Sequence, residues 1–533
     1  MRDRTPNRTG NRYFLSASLA ARGLLALVTV APAPAVVAGT FKVEEATIQG
    51  LQKAFHDHSI SCRALVQTYL DRIAAYNRKG PAINAILTLN ANALAEADAL
   101  DAAFMKGGAV GRLHCVPIVL KDNYNTSELP TTGGSASLAG TQPKKDAFVV
   151  AQLRSAGAIV LAKTNMHEFA LAGTTVSSLG GQTLNPYDLT RTPGGSSGGT
   201  GAAVAANLAM AGTGSDTVNS IRSPASANSI VGIRPTKGLL SLNGIMPVSR
   251  TQDAIGPLAR HVADAATLLQ VMAVPDPADP ATAGHDHSNY VDALKAGALE
   301  GKRIGVLRIM FGAKPEHQEV TRVMETALDA MRQAGATLVD LDAPALDAGK
   351  LNTENDVQKY EFKALMDQYL ATLPNAPVKT VAEIVASGKY DHSTLEKFLK
   401  TAVAFENGMS EADYKVRFER NAVTRALLLK LMYDNALDAI VYPLQKRLVV
   451  PLSETNQADR NGILASVTGF PAMTVPAGFS APSPDAPLGV PVGMDILGRP
   501  FGEAELLSLA YSFEQATHLR RPPESTPPLP SER

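Results

Sequence analysis

Two glycine-rich turns, each carrying serines, stand close together in the middle of the chain. The first is Gly194-Gly195-Ser196-Ser197-Gly198-Gly199. The second is Gly212-Thr213-Gly214-Ser215-Asp216-Thr217-Val218-Asn219-Ser220. Glycines let a backbone bend tightly or approach another group closely, so a serine held there can present its hydroxyl and neighbouring N–H groups to a bound carbonyl. Flexible linkers have a similar composition. A phosphate cradle is disfavoured because no Gly-Lys-Ser/Thr follows. The Gly-x-Ser-x-Gly elbow is absent around Ser196 and Ser220. Neither turn has a histidine near it, and Ser-Lys sites are a known alternative to Ser-His-Asp. Lys121 stands at the end of the apolar run Val116-Pro117-Ile118-Val119-Leu120. Burying a lysine is costly unless it is paired or neutral. Desolvation would bring its pKa from about 10.4 toward neutrality, where it can accept a proton.

The elements that must position these groups read as α/β alternation. Cys62, Leu65, Val66, Tyr69, Leu70 and Ile73 fall at helical spacing, with Thr47 and Ser61 as N-caps. A strand is expected within 81–89 and a helix over 91–104. Leu113–Asn123 reads as a strand buried on both faces. A helix and the strand AIVLAK follow over 147–163, and Thr131–Ser135 is a turn directed at the same place. Gly201–Met210 reads as a helix of small residues that permits close packing. Further strands are expected at Arg303–Leu307, Ala336–Leu341, Asp438–Pro443 and Gly493–Leu497. Helices are expected at Val262–Val271, Glu319–Ala334 and Glu503–Thr517, and residues 352–435 read as helical and charged. No internal repeat is present.

Three segments together resemble the amidase signature family: Pro193–Pro224, VPIVLKDN at Val116–Asn123, and VGIRPTKGLLS at Val231–Ser241. The resemblance spans about Val43 to Pro523. It implies one α/β/α sandwich with a mixed, twisted central sheet covered by helices, although length alone suggests about three domains. It also implies a Ser–Ser–Lys triad that hydrolyses a carboxylic or peptide-type amide through an acyl-enzyme. Ser220 would be the nucleophile, Ser196, preceded by a cis peptide bond, the proton bridge, and Lys121 the base. The N–H groups of Thr217, Val218, Asn219 and Ser220 would form the oxyanion hole, and Ala170 a wall of the substrate site. Ser197, Asp216 and Arg222 would support the turns. In the commoner pattern two glycines precede the nucleophile; here Val218 and Asn219 stand there. The resemblance assigns no acid–base role to His167 or Glu168, implies no cofactor or metal, and makes Ile245–Pro257 a loop beneath the site.

The rest of the chain bounds the setting. Lys plus Arg and Asp plus Glu are each 50, so charge gives no case for nucleic acid or an anionic membrane. Residues 1–39 read as a secretory signal peptide: a basic stretch, the short apolar run Leu24–Val30, and small residues around Ala33-Pro34-Ala35. That run is too short for a stable membrane span. A periplasmic or secreted amidase acting on a small-molecule or short peptide amide follows, as a monomer or homodimer, with the amidase domain over 40–521 and a helical insert at about 352–435. Cys62 and Cys115 read as small core residues, too few for a disulfide framework. His285 and His287 fall in a solvated loop, and the proline-rich stretch 522–533 is expected to be disordered. The competing readings are the A-type subunit of an aminoacyl-tRNA amidotransferase, which shares the signature, and a catalytically inactive binding homologue.

Overall fold

Among the described residues thirteen strands carry the architecture: β1 (Ile86–Leu89), β2 (Pro117–Lys121), β3 (Ile159–Thr164), β4 (Val176–Ser177), β5 (Gly181–Gln182), β6 (Ala211–Asp216), β7 (Val231–Arg234), β8 (Ala254–Ala259), β9 (Arg303–Leu307), β10 (Thr337–Leu341), β11 (Ala439–Pro443), β12 (Ala472–Phe479) and β13 (Pro491–Leu497). Eleven of them form one sheet in the order β1-β3-β2-β6-β8-β7-β12-β13-β11-β9-β10, and β4 and β5 form a separate hairpin. The computed structural model describes residues 41–285 and 289–532, which pack as one compact unit. The sheet is mixed, as expected: β2 runs parallel to both β3 and β6, whereas β8 is antiparallel to β6 and β7. Helices on the sheet supply the second and third layers, so β2, β3, β6, β7 and β8 are buried along their whole length.

Several expectations need correction. The segment Gly212–Asp216 is not a turn but strand β6, in the heart of the sheet. Its glycines serve close packing: a Cβ on Gly212 would lie 2.6 Å from Thr200 Cγ2, and one on Gly214 would lie 2.9 Å from Ser197 Oγ. The preceding helix is correspondingly short, Gly198–Ala205, and does not reach Met210. The loop expected over Ile245–Pro257 turns into the central strand β8 from Ala254. Beyond the helix Ile463–Thr468, the chain enters the eight-residue strand β12, which the sequence pattern does not single out. Each of these strands lacks the polar alternation that marks a half-exposed strand, because helices cover both faces.

Cys62 and Cys115 are not independent core residues; they form a disulfide with Cα atoms 5.6 Å apart. The fold brings the first turn of the helix Cys62–Tyr76 against the loop that leads into β2, a proximity that residue spacing does not reveal. The proline-rich stretch after Pro522 is likewise not disordered. Arg72, fully buried, donates to Thr526 O at 2.9 Å and pairs with Glu532 at 2.9 Å, and Ser525 Oγ donates to Pro186 O at 2.6 Å. Prolines lack N–H but keep their carbonyls, and those carbonyls are what Tyr76 and Arg72 bind here. The signal-peptide reading lies outside the described residues, as does His287; the His285 ring stacks on Phe501 at 3.9 Å. Thr47 and Ser61 cap their helices by accepting from Gly50 N and Ala64 N.

Candidate active site

The parallel strands β2 and β6 lie side by side with their C-terminal ends at one edge of the sheet, which brings Lys121 and the Thr217–Ser220 turn together. Lys121 ends β2 with no exposed surface. Its Nζ donates to Ser196 Oγ at 2.7 Å and to Ser215 Oγ at 2.8 Å, with Ser215 O at 3.4 Å. Burial lowers its pKa to about 7, against the pull of the Asp216 and Asp253 carboxylates. Among the described residues no carboxylate reaches it, so hydroxyl and carbonyl oxygens are its only partners.

Ser196 follows a cis peptide bond from Gly195 and stands one residue before Ser197, the N-cap of the helix Gly198–Ala205. Its carbonyl accepts from His167 N at 2.9 Å, and Ser197 N donates to Ser220 O at 3.2 Å, so backbone bonds fasten the two serine turns to each other. Ser197 Oγ donates to Ser215 O at 3.3 Å. Ser220 stands between β6 and the helix Arg222–Ala227 and is 6% exposed. Among the described residues no acceptor meets the N–H groups of Thr217, Val218, Asn219 or Ser220. Four backbone donors in one short turn can therefore be directed at an oxygen carried by a ligand.

Buried charge holds that turn in shape. Arg222 donates to Asp216 Oδ2 at 3.2 Å, Asp495 Oδ2 at 2.6 Å, Val218 O at 2.7 Å and Gly462 O at 2.8 Å. Asp216 also accepts from Ile221 N at 3.1 Å and pairs with Arg234 at 3.0 Å. Burial alone would raise the Asp216 carboxyl; Arg222 and Arg234 outweigh it and hold it below the usual carboxylate range. On the opposite flank Thr217 Oγ1 donates to Asp253 Oδ1 at 2.6 Å. Asn219 is fully buried and packs on Gly462, where a Cβ would lie 2.4 Å from Asn219 Cβ. A non-glycine residue before Ser220 is thus accommodated by a glycine contributed from far along the chain.

The loop Thr164–Leu171 sits across from the turns, with His167 N donating to Ser196 O at 2.9 Å. Ala170 is 6% exposed, and both it and Phe169 adopt positive φ, 63° and 53°. His167 and Glu168 are not brought to the serines through their side chains. His167 Nε2 bonds Thr394 Oγ1 at 2.9 Å, and burial lowers its pKa to about 3. Glu168 accepts from Ser178 N and Asp391 N, each at 2.9 Å, and burial raises its carboxyl above the usual range. Both therefore tie the loop to the helical segment that reads as an insert. Phe362 packs near Phe169 at 6.4 Å, and Tyr369 OH donates to Asn125 Oδ1 at 2.6 Å. The Thr131–Ser135 turn hangs on Asp122, which accepts from Thr132 N and Gly134 N.

Sequence reasoning missed Ser215, Asn123 and Asp253. Ser215 accepts from both Lys121 Nζ and Asn123 Nδ2, the latter at 2.9 Å. A serine on a buried strand, one residue before Asp216, was a usable signal. Asp495, Arg234 and Gly462 left no local signal, because they reach the turn from other strands and loops.

Comparison with known proteins agrees with this geometry. The family model described as Amidase matches residues 64–507. A probable amidase of Arabidopsis thaliana is 33% identical over 92% of this chain and 93% of its own length. The A-type subunit of the glutamyl-tRNA(Gln) amidotransferase of Moorella thermoacetica is 35% identical over 89% of this chain and 98% of its own. The solved structure of native peptide amidase from Stenotrophomonas maltophilia superposes with a TM-score of 0.81 at 36% identity, covering 91% of this chain and 99% of that one.

Proposed function

Because the chain belongs to the amidase family, we propose that it hydrolyses a small carboxylic or peptide-terminal amide through an acyl-enzyme on Ser220. The observation that carries this reading is the 2.7 Å hydrogen bond between Lys121 Nζ and Ser196 Oγ, made by a lysine that burial brings to about neutral pKa. Ser220 Oγ attacks the amide carbon and passes its proton through Ser196 to neutral Lys121. The developing oxyanion is held by backbone N–H groups of Thr217–Ser220. Lys121 and Ser196 then return the proton to the departing amine nitrogen. In the second half, a water attacks the ester carbon of the acyl-enzyme, its proton takes the same route, and the carboxylic acid leaves as Ser220 regains its hydrogen.

Hydrolysis is favoured over service in an amidotransferase complex by the Cys62–Cys115 disulfide. Disulfides persist in oxidising compartments and are rare in the cytosol. This joins the signal-like residues 1–39 in supporting a periplasmic or secreted enzyme. Intact-mass analysis of protein from its native host should find a chain beginning between Val36 and Phe41; retention of Met1 overturns the location. The substrate is a small-molecule amide or short peptide amide, the acting unit a monomer or homodimer, and the residues lining the Phe169–Phe362 side select the acyl group. Labelling with a fluorophosphonate tests the mechanism. The native chain should be modified on Ser220 and the Ser220→Ala chain should not. Labelling of another serine removes the assignment, and an unlabelled native chain favours an inactive binding homologue.

A further inference from the structure

Behind the Thr217–Ser220 turn lies a cavity of about 580 Å³ that the proposed reaction does not use. Asp253, which accepts from Thr217 Oγ1, forms part of its wall. Three cations line it: Lys237, Arg250 and Arg425. Lys237 Nζ donates to the Arg250 carbonyl, and Arg425 Nε donates to Thr468 O at 2.8 Å. A Cβ on Gly469 would lie 3.4 Å from Lys237 Cβ and 3.5 Å from Arg425 Nη2, which sets these two side chains at one place on the wall. Among the described residues no carboxylate pairs with any of the three. The two acids that share the lining act on Lys237 only from beyond ion-pair distance, and their hydrogen bonds go elsewhere: Asp253 accepts from Thr217, Val248 N and Ser249 N, and Asp279 from Leu242 N and Ala281 N.

Three cations gathered around a hollow, Lys237 part-buried and Arg250 and Arg425 exposed at its rim, favour a ligand that brings negative charge, because charge-assisted hydrogen bonds to carboxylate or phosphate are strong. The volume is that of a small-molecule site. One wall is flat and apolar. Phe501 is 44% exposed and stacks on His285, with Leu240 and Leu242 also in the lining. We propose that this cavity binds an organic anion, a carboxylate or phosphate carried on a flat apolar ring, and that its occupancy acts on the oxyanion turn through Asp253. The anion meets Arg250, Arg425 and Lys237, and the ring lies against Phe501. Crowding the Asp253 wall shifts Thr217, so the ligand changes the rate of the chemical step and leaves substrate binding alone.

Isothermal titration of the Ser220→Ala chain with benzoate, phenyl phosphate and inorganic phosphate tests the binding. At least one ring-bearing anion should bind, with inorganic phosphate at least tenfold weaker. The Arg250→Gln/Arg425→Gln double variant should lose tenfold or more in affinity at an unchanged thermal midpoint. The better ring-bearing probe identifies the anionic group. Absence of binding by both ring-bearing probes, equal binding of inorganic phosphate, or unaltered affinity in the double variant overturns the site. This arm stands independently of the amide-hydrolase reading. The coupling arm rests on that reading. In the active chain the bound probe should change kcat with KM constant, and the double variant should lose that response while keeping its basal rate. A purely competitive effect, or an unchanged kcat at saturation, overturns the coupling.

Discussion

Two lysines lie at the ends of neighbouring strands, both fully buried, and their surroundings differ in one respect. Lys121 on β2 pairs in register with Thr164, and Lys163 on β3 with Leu120, so the two side chains project to opposite faces of the sheet. Lys163 has a carboxylate, Asp122 at 3.2 Å, and donates to Tyr124 O at 2.8 Å, Pro130 O at 3.0 Å and Thr131 Oγ1 at 2.8 Å. Burial lowers its pKa, and Asp122 opposes that shift directly. Among the described residues Lys121 has only two serine hydroxyls and a carbonyl, while the nearest opposing carboxylates act on it from beyond ion-pair distance. Burial alone does not make a base. A buried lysine with a carboxylate is an anchor for loops; one left with hydroxyls is free to lose and regain its proton.

Replacing each lysine by methionine sharpens that contrast. Lys121→Met should lower kcat by about 10⁴-fold, on the order seen when a proton-transfer unit is broken, and should leave the thermal midpoint close to native. Its loss should not add to that of Ser196→Ala, since both belong to one proton path. The native pH–rate profile should carry an acid limb. Below a pH of about 7 Lys121 is charged and cannot accept a proton, so the rate falls about tenfold per pH unit. Above it the lysine is neutral and the rate levels off. A limb that survives in Lys121→Met, or a kcat within tenfold of native, breaks the assignment.

Lys163→Met should act on stability instead. It leaves Asp122 buried without its partner, at a loss of about 3–5 kcal/mol, measurable by denaturant unfolding. Asp122 also holds the Thr132–Gly134 turn, so kcat of the remaining folded protein should fall only severalfold. A kcat loss as large as that of Lys121→Met would erase the distinction between the two lysines.

A smaller effect is expected from the strand's other end. The Cys62–Cys115 bridge ties the first helix layer to the loop entering β2, across a sequence separation of 53. Cys62→Ala/Cys115→Ala should lower stability by about 2–4 kcal/mol through the freer unfolded chain. The acid limb should stay where it is, because Lys121 keeps its burial.

Much of this site is legible in the sequence alone. Lys121, Ser196 and Ser220 can be singled out because glycine turns and a buried strand end leave local marks. The alternation of apolar runs points to the layered α/β class. What is not legible comes from contacts made across the sheet. β8 reads as a loop because Gly256 and Pro257 suppress strand character. There the missing side chain of Gly256 makes room for Ile233 O, 2.0 Å from where a Cβ would lie. The Cys62–Cys115 pairing and the docking of 522–532 depend on distant segments meeting, and neither stretch carries a periodicity that announces its partner. Asp253 closes the polar run Ser249-Arg250-Thr251-Gln252, whose composition is that of a surface loop. Its role is set by Thr217, which lies 36 residues earlier in the chain.

The smallest expected change separates the lysine from His167, a histidine beside the serine turns. His167 is fully buried, its backbone N–H bonds Ser196 O, and its ring bonds Thr394 and Thr174. Burial holds the imidazole neutral down to about pH 3. Were His167 the base, the acid limb of the rate would fall near pH 3, far below the limb expected for Lys121 at about 7. His167→Gln keeps a polar group facing Thr394 and leaves the backbone bond to Ser196 in place. It should lower kcat less than tenfold, leave the acid limb near 7, and shift KM more than kcat, because His167 ties the helix His392–Ala404 to the loop proposed to border the substrate. A loss of several orders of magnitude in kcat, with fluorophosphonate labelling lost at an unchanged thermal midpoint, would move the base from Lys121 to His167.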